Sequence, residues 1–182
     1  MLKQFSNGLA VVERWGAIIG TAAVALLVTF NVVTRAMNNA FFWVDELAIY
    51  AMVWMLFLSI SVLFKRRQVV AVTVLTDILP KVYQGAVSRL VDWVTLGFSI
   101  VMLVFCWYWF EPLQLIRYGF NTEAFSAATM NFIYQERVTT LPLSKFWVWL
   151  IIAWFSCSCV IHSLANIVGG THTSHDSDGR GV

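Results

Sequence analysis

Charged side chains are scarce in this chain. Asp, Glu, Lys and Arg make up 12% of its 182 residues, whereas soluble domains carry about 25%. With 59% hydrophobic residues and a mean hydropathy of +0.74, the chain has more apolar surface than one soluble core of this size can cover, so the expected solvent is lipid. The nine tryptophans agree with this, because indole rings favour the membrane–water interface. The net charge of +2 is too small to indicate a nucleic-acid partner.

Redox and metal chemistry have few residues to build on. The three cysteines lie in apolar segments, as expected for buried free thiols, and form no CxxC pair: Cys106, Cys157 and Cys159. Only His162 lies in an apolar run, whereas a haem held by two histidines within this chain would need two; His172 and His175 fall in the polar tail. No catalytic residue, cofactor or metal site is therefore expected in this chain.

Carboxylates are missing from the middle of the apolar runs. Asp45 and Glu46 precede the second run, and Asp92 and Glu111 lie at the two ends of the third. Transport of ions or protons through the chain itself would normally need ionisable residues near the bilayer centre. The sequence thus indicates a membrane subunit without transport machinery of its own.

Long apolar runs are what the chain does have. A membrane-spanning helix needs about 20 mostly apolar residues, and four runs qualify: 15–34, 47–64, 91–110 and 146–168. The first run is too long for a cleavable signal peptide and is expected to stay as an anchor. The predicted fold is an all-α integral membrane protein, with one four-helix domain over residues 1–168.

The Lys and Arg residues predict the orientation. Eight of the 12 lie in the N-terminus, in the tail or between the second and third spans, and the positive-inside rule places such segments in the cytoplasm. Lys65, Arg66 and Arg67 form the strongest single determinant of topology. Both termini are predicted to be cytoplasmic.

The connections between the spans differ in character. Apolar residues recur at helical spacing over about 69–90, which predicts an amphipathic helix in the membrane interface, bent at Pro80; the alternative is a surface segment that packs on other protein. The outer connection, 111–144, is rich in aromatic residues and is expected to be partly folded against the membrane surface or a partner. The tail, 169–182, is polar and is predicted to be disordered in the cytoplasm.

One face of the second span combines an acid with aromatic side chains at helical spacing. Glu46 and Asp45 also lie in its first turn, where the helix dipole favours negative charge. One hypothesis is that they cap and anchor the helix. The other is that Glu46 pairs with Arg35 or with a partner subunit, and that the aromatic stripe is a packing face. The candidate interface residues are Arg35, Trp43, Glu46, Tyr50, Trp54 and Phe57.

An ordered set of residues resembles a known family. The set comprises Arg35, Phe42-Trp43, Glu46-Leu47, Tyr50, Trp54, Phe57-Leu58, Leu79-Pro80 and Leu141-Pro142. Together with the length, the four spans and the basic break after the second span, it resembles the small, DctQ-type membrane subunit of tripartite ATP-independent periplasmic (TRAP) transporters over about residues 10–168. The chain departs from the family at Ser59, where many members have Gly, and at Val69–Val72, where many have His-Ile-x-Val.

The resemblance implies a partner-dependent role in the bacterial inner membrane. Such a subunit braces a large multi-span subunit that holds the substrate and sodium sites, and a soluble periplasmic binding protein delivers an organic acid. The ion gradient drives uptake. The residues themselves leave two alternatives open, namely a membrane anchor for a redox enzyme and a small exporter that works as a homo-oligomer.

Overall fold

Six helices make up the part of the chain that the structure describes. The computed structural model describes residues 1–66 and 80–169. Its helices are α1 (Leu2–Ala36), α2 (Phe42–Arg66), α3 (Lys81–Phe110), α4 (Pro112–Arg117), α5 (Thr122–Thr129) and α6 (Phe146–Gly169). Four of these six, α1, α2, α3 and α6, are long and apolar enough to cross a membrane. The expected all-helical fold with four membrane-spanning helices is confirmed.

The four long helices run alternately up and down, which gives the bundle two ends. The loop end carries Arg35, the start of α2, the end of α3 and the start of α6. The terminal end carries the start of α1, Lys65, the start of α3 and the end of α6. Short connections favour antiparallel neighbours, and the turn between α1 and α2 spans only residues 37–41.

The first helix is longer than the sequence predicts. The predicted membrane span begins at Trp15, whereas α1 begins at Leu2 and passes through Glu13 and Arg14 without a break. A helix of 35 residues is about 52 Å long and a bilayer core is about 30 Å thick. The first turns of α1 therefore extend to or beyond the membrane boundary. Charged residues are tolerated there, so Glu13 and Arg14 do not end the helix.

The region between α2 and α3 also differs from the prediction. Pro80 stands directly before α3 with φ −54° and ψ 142°, a conformation that suits a residue preceding a helix. Residues 81–90, the second half of the predicted interfacial helix, are the first turns of α3 and not a separate element. The first half of that predicted helix, like Arg67 and most of the polar tail, lies outside the described residues.

Two glycines bring α1 and α2 close together. A Cβ atom on Gly20 would lie 2.9 Å from Cβ and 3.4 Å from Cα of Met55. A Cβ atom on Gly16 would lie 2.8 Å from Cδ1 of Leu58. Small residues four apart let two membrane helices approach closely, and van der Waals packing then stabilises the pair.

Helix α6 is the central helix of the bundle and contacts α1, α2 and α3. Its half near the loop end packs in an apolar cluster with Cys106, Phe110 and Ile133. From Ser156 onwards it instead buries small polar side chains and one histidine. These buried residues are Ser156, Ser158, Cys159, His162 and Ser163.

The connection from α3 to α6 is folded onto the loop end. Glu111 ends α3 in the left-handed conformation, and Asn121 caps α5 by accepting hydrogen bonds from two backbone N–H groups at 3.1 Å. The Nδ2 atom of Asn131 donates to the carbonyl of Trp109 at 2.8 Å. The hydroxyl of Tyr134 donates to the end of α3, and burial, with the nearby charge of Glu111, raises the pKa of Tyr134. These contacts fix the connection to the bundle.

Candidate functional site

Glu46 holds a distant segment of the chain at the loop end. Its carboxylate accepts hydrogen bonds from the backbone N–H of Thr139 at 3.1 Å and of Thr140 at 2.8 Å. The Thr140 hydroxyl donates to the same carboxylate, and the Tyr50 hydroxyl does so at 2.8 Å. Four donors on one carboxylate make a strong clamp, because hydrogen bonds to a charged acceptor are stronger than neutral ones.

The segment held by Glu46 is a small hairpin that leads into α6. The N–H of Val138 donates to the carbonyl of Leu143 at 2.9 Å, and the N–H of Lys145 donates to the carbonyl of Glu136 at 2.9 Å. The side chains of Lys145 and Glu136 pair at 2.8 Å. Glu46 therefore fixes the start of α6 relative to the start of α2.

The arginine that one hypothesis paired with Glu46 has another partner. Arg35 forms a salt bridge with Asp45, and its Nε atom donates to Oδ1 of Asn31 at 3.1 Å. The Nδ2 atom of Asn31 donates in turn to Asp45. The hypothesis that Glu46 pairs with Arg35 is therefore wrong. The two adjacent acids bind different segments: Asp45 binds Arg35 across the turn from α1, and Glu46 binds the hairpin.

The remaining residues of the candidate interface do not share one surface. Phe57 packs against Phe155 of α6 with ring centroids 5.2 Å apart, and Tyr50 donates to Glu46. Trp43 and Trp54 are 39% and 38% exposed. Of these candidate interface residues on α2, the two tryptophans are thus the ones available to lipid or to another chain.

A second constellation lies at the terminal end and joins three helices through five side chains. Lys65 Nζ donates to Ser6 Oγ at 2.5 Å, and Ser6 Oγ lies 2.8 Å from His162 Nδ1. His162 Nε2 lies 2.9 Å from a carboxylate oxygen of Glu13. The other carboxylate oxygen accepts from Ser61 Oγ at 2.8 Å. Glu13, His162, Ser6 and Ser61 have no solvent exposure.

This polar network buries a carboxylate that precedes the predicted first span, 15–34. Glu13 lies 22 residues from Arg35, or about 33 Å along α1, so it is at the terminal end and not at mid-depth. Lys65, predicted as a topology determinant, is also a member of the network, while Arg66 is exposed in the last turn of α2.

Comparison with known proteins assigns the family. A family model described as "Tripartite ATP-independent periplasmic transporters, DctQ component" matches residues 24–173, which is most of the chain. The chain belongs to the DctQ family. It is thus a multi-pass membrane protein, a component of a TRAP transporter and not an enzyme. No curated protein and no solved structure matches it.

The family match covers all of the Glu46 site but only part of the polar network at the terminal end. Glu46 and the hairpin it holds lie within the part that matches the DctQ component. Of the polar network, Ser61, Lys65 and His162 lie within the match, whereas Ser6 and Glu13 precede it.

The sequence carried a signal for the network that the prediction missed. Ser6 and Glu13 are seven residues apart, and Ser61 and Lys65 are four apart, so each pair lies on one face of its helix. With His162 on α6, they place polar residues on three helices at the same end of the bundle.

Proposed function

We propose that this DctQ-family chain is the scaffold subunit of a TRAP transporter that imports an organic acid with a sodium gradient. It braces a large multi-span subunit that holds the substrate and sodium sites. A periplasmic binding protein delivers the carboxylate substrate. The complex lies in the bacterial inner membrane, with both termini of this chain in the cytoplasm and the loop end facing the periplasm.

One observation carries the scaffold role. Among the described residues, every buried side-chain nitrogen or oxygen atom has a hydrogen-bond partner within the chain. A substrate or ion site needs polar groups that are free to bind the ligand, because a ligand that replaces water must satisfy them. A bundle whose buried polar groups all bind one another supports the proposal that the transported solutes bind in the large subunit.

The folded connection supports the second part of the role. The hairpin is held by Glu46, and the rest of the connection is fixed to the end of α3 by Asn131 and Tyr134. Such contacts give the loop end a defined shape. We propose that the binding protein contacts the small subunit at this surface.

Reconstitution in proteoliposomes tests the proposal. The chain alone is expected to take up none of a panel of radiolabelled organic acids. The chain with its large subunit and binding protein is expected to take up one of them when an inward sodium gradient is imposed. Transport by the chain alone would instead support a homo-oligomeric exporter. Uptake by the three components that persists after the sodium gradient is collapsed would refute the sodium part.

A further inference from the structure

The polar network at the terminal end has one arrangement of protons that satisfies every member. The Lys65 ammonium has only donors, so Ser6 Oγ accepts from it and directs its own hydrogen to His162 Nδ1. The ring proton of His162 is then on Nε2 and is donated to the Glu13 carboxylate. In this assignment His162 is neutral, and the charges of Lys65 and Glu13 balance through the Ser6–His162 relay.

The same network has a second charge-balanced arrangement. If His162 takes up a proton at Nδ1, it becomes the direct cationic partner of Glu13 at 2.9 Å. Ser6 Oγ then faces two cationic donors, and its own hydrogen loses its acceptor. Like charges on one oxygen repel, so Lys65 leaves the relay while the buried charge stays balanced.

We propose that Ser6, Glu13, Lys65 and His162 form a proton-binding site in which a proton on His162 and the ammonium of Lys65 alternate as the cation that balances Glu13. The inference is independent of the transport role proposed above, since it rests on the geometry of this chain alone. The ligand is a proton, and its uptake releases Lys65, at the end of α2, from Ser6 near the start of α1.

The surroundings of Lys65 favour its release. Lys65 is half-buried in the last turn of α2, so its ammonium reaches water by a side-chain rotation, whereas His162 and Glu13 have no exposure. Lys3, on the first turn of α1, acts on Lys65 by repulsion. Buried charges need a partner to remain charged. The mobile member of the network is thus the lysine, and the fixed members are the imidazole and the carboxylate.

Protons reach this site from the terminal end. On the side facing the loop end, Phe155 packs against both Phe57 and Phe64, with ring centroids 5.2 and 6.2 Å apart. On the other side, the Nδ2 atom of Asn166 lies 3.4 Å from the carbonyl of Lys65, and Lys65 itself is only half-buried. The site responds to the pH on one side of the membrane and is not a path across it.

The charged and titratable groups on the helices around His162 complete the electrostatic setting. Towards the terminal end these helices carry Lys3, Glu13 and Arg14 on α1, Lys65 and Arg66 on α2, Lys81, Tyr83, Arg89 and Asp92 on α3, and Cys157 and Cys159 on α6. Glu13 is the one that contacts the ring directly, and Lys65 is linked to it through one hydroxyl. These two residues are therefore the ones whose substitution tests the site.

Nitrogen-15 NMR of the full chain in lipid nanodiscs tests the site. Replacing His172 and His175 by Gln leaves His162 as the single imidazole, and spectra are recorded from pH 5 to 8.5, the range in which histidine changes charge. The expected result is a neutral Nε2–H tautomer at high pH and protonation at Nδ1 as the pH falls. A ring that carries its proton on Nδ1 at high pH, or that keeps one charge state throughout, would overturn the proposal.

Substitutions test the competition between lysine and proton. Lys65→Met is expected to move the titration midpoint of His162 to higher pH, by about tenfold in proton affinity, the lower end of what one nearby charge produces. Glu13→Gln is expected to move it to lower pH. Arg66→Met removes the same charge one residue further on, where the side chain is exposed and screened, and is expected to leave the midpoint unchanged. An equal effect of Lys65→Met and Arg66→Met would refute the exchange.

A measurement on the unmodified chain covers the case in which the variants do not fold. Amine-reactive labelling is followed by mass spectrometry, with Lys145, which pairs with Glu136 at the other end of the bundle, as the internal reference. The ratio of labelling at Lys65 to labelling at Lys145 is expected to rise as the pH falls, because proton uptake releases Lys65. A ratio that stays constant or falls contradicts the proposal.

Discussion

The two ends of the bundle are held together by different chemistry. At the loop end, α3 and α6 pack through an apolar cluster that includes Phe110, and Glu46 binds backbone groups of a hairpin at the rim. At the terminal end, the interior itself is polar, and Glu13 binds His162 with no solvent exposure. A partly exposed carboxylate can be lost with local consequences, whereas removing one partner of a buried charged pair leaves the other without compensation.

The largest expected effect is at the terminal end. Glu13→Ala leaves Lys65 without its balancing charge and His162 and Ser61 without their acceptor, so it should lower the free energy of unfolding by about 3 kcal/mol, as for other broken buried pairs. Thermal or denaturant unfolding in detergent measures this. Glu123→Ala, on the exposed surface of α5, serves as the matched control and should stay within about 0.5 kcal/mol of the wild type.

A paired replacement sharpens this prediction. Substituting Glu13 by Met and His162 by Leu together removes the buried carboxylate and the imidazole that it binds. Well-packed apolar residues often replace a buried ion pair at little cost. The double variant should therefore be more stable than Glu13→Ala alone. If it is equally unstable, the terminal end depends on packing of these side chains and not on their charge.

A smaller effect is expected where α1 and α2 touch between the two ends. Gly20→Ala places a Cβ atom 2.9 Å from Cβ of Met55, which is not the free end of a flexible side chain, and should destabilise the bundle by about 1–2 kcal/mol through overpacking. Gly97→Ala on α3 meets no atom within 4 Å and should be neutral or stabilising by up to about 1 kcal/mol. The same unfolding assay compares them. A Gly20→Ala variant as stable as Gly97→Ala would show that the two helices are not in close contact.

The loop end should respond locally. Glu46→Gln weakens the hydrogen bonds from the N–H groups of Thr139 and Thr140, so these two amides should exchange with deuterium faster. Amides in the middle of α6 should be unchanged, and Glu123→Gln, a control on the exposed side of α5, should leave Thr139 and Thr140 as they are. Faster exchange along the whole of α6 would mean that the two ends are coupled.

The difference between the ends also explains what the sequence could predict. The four spans and the end of α3 at Glu111 follow from apolar runs and helix-breaking residues, which are local signals. The first turns of α1 were not predicted because Glu13 and Arg14 are the usual mark of a membrane boundary, and only the fold places hydrogen-bond donors for Glu13 beside them.

Contacts between distant segments left no local pattern to find. Glu46 binds backbone N–H groups 93 and 94 residues further along, and a backbone donor has no side-chain signature. The choice of Asp45 over Glu46 as the partner of Arg35 depends on one residue of helix rotation, about 100°. The identity of the residues predicted a charged turn, but the geometry of α2 decided which acid closes it.

The smallest effect is expected for the salt bridge that closes this turn. Arg35 and Asp45 have side chains that are 56% and 40% exposed, and exposed ion pairs contribute about 0–1 kcal/mol. Arg35→Gln should therefore change the unfolding free energy by less than about 0.5 kcal/mol, and by still less at high salt, which screens exposed charges. A double-mutant cycle with Asp45→Asn measures the coupling directly. A coupling above about 2 kcal/mol would show that this turn is shielded from water, and would make the loop end resemble the terminal end in depending on a charge pair that solvent does not reach.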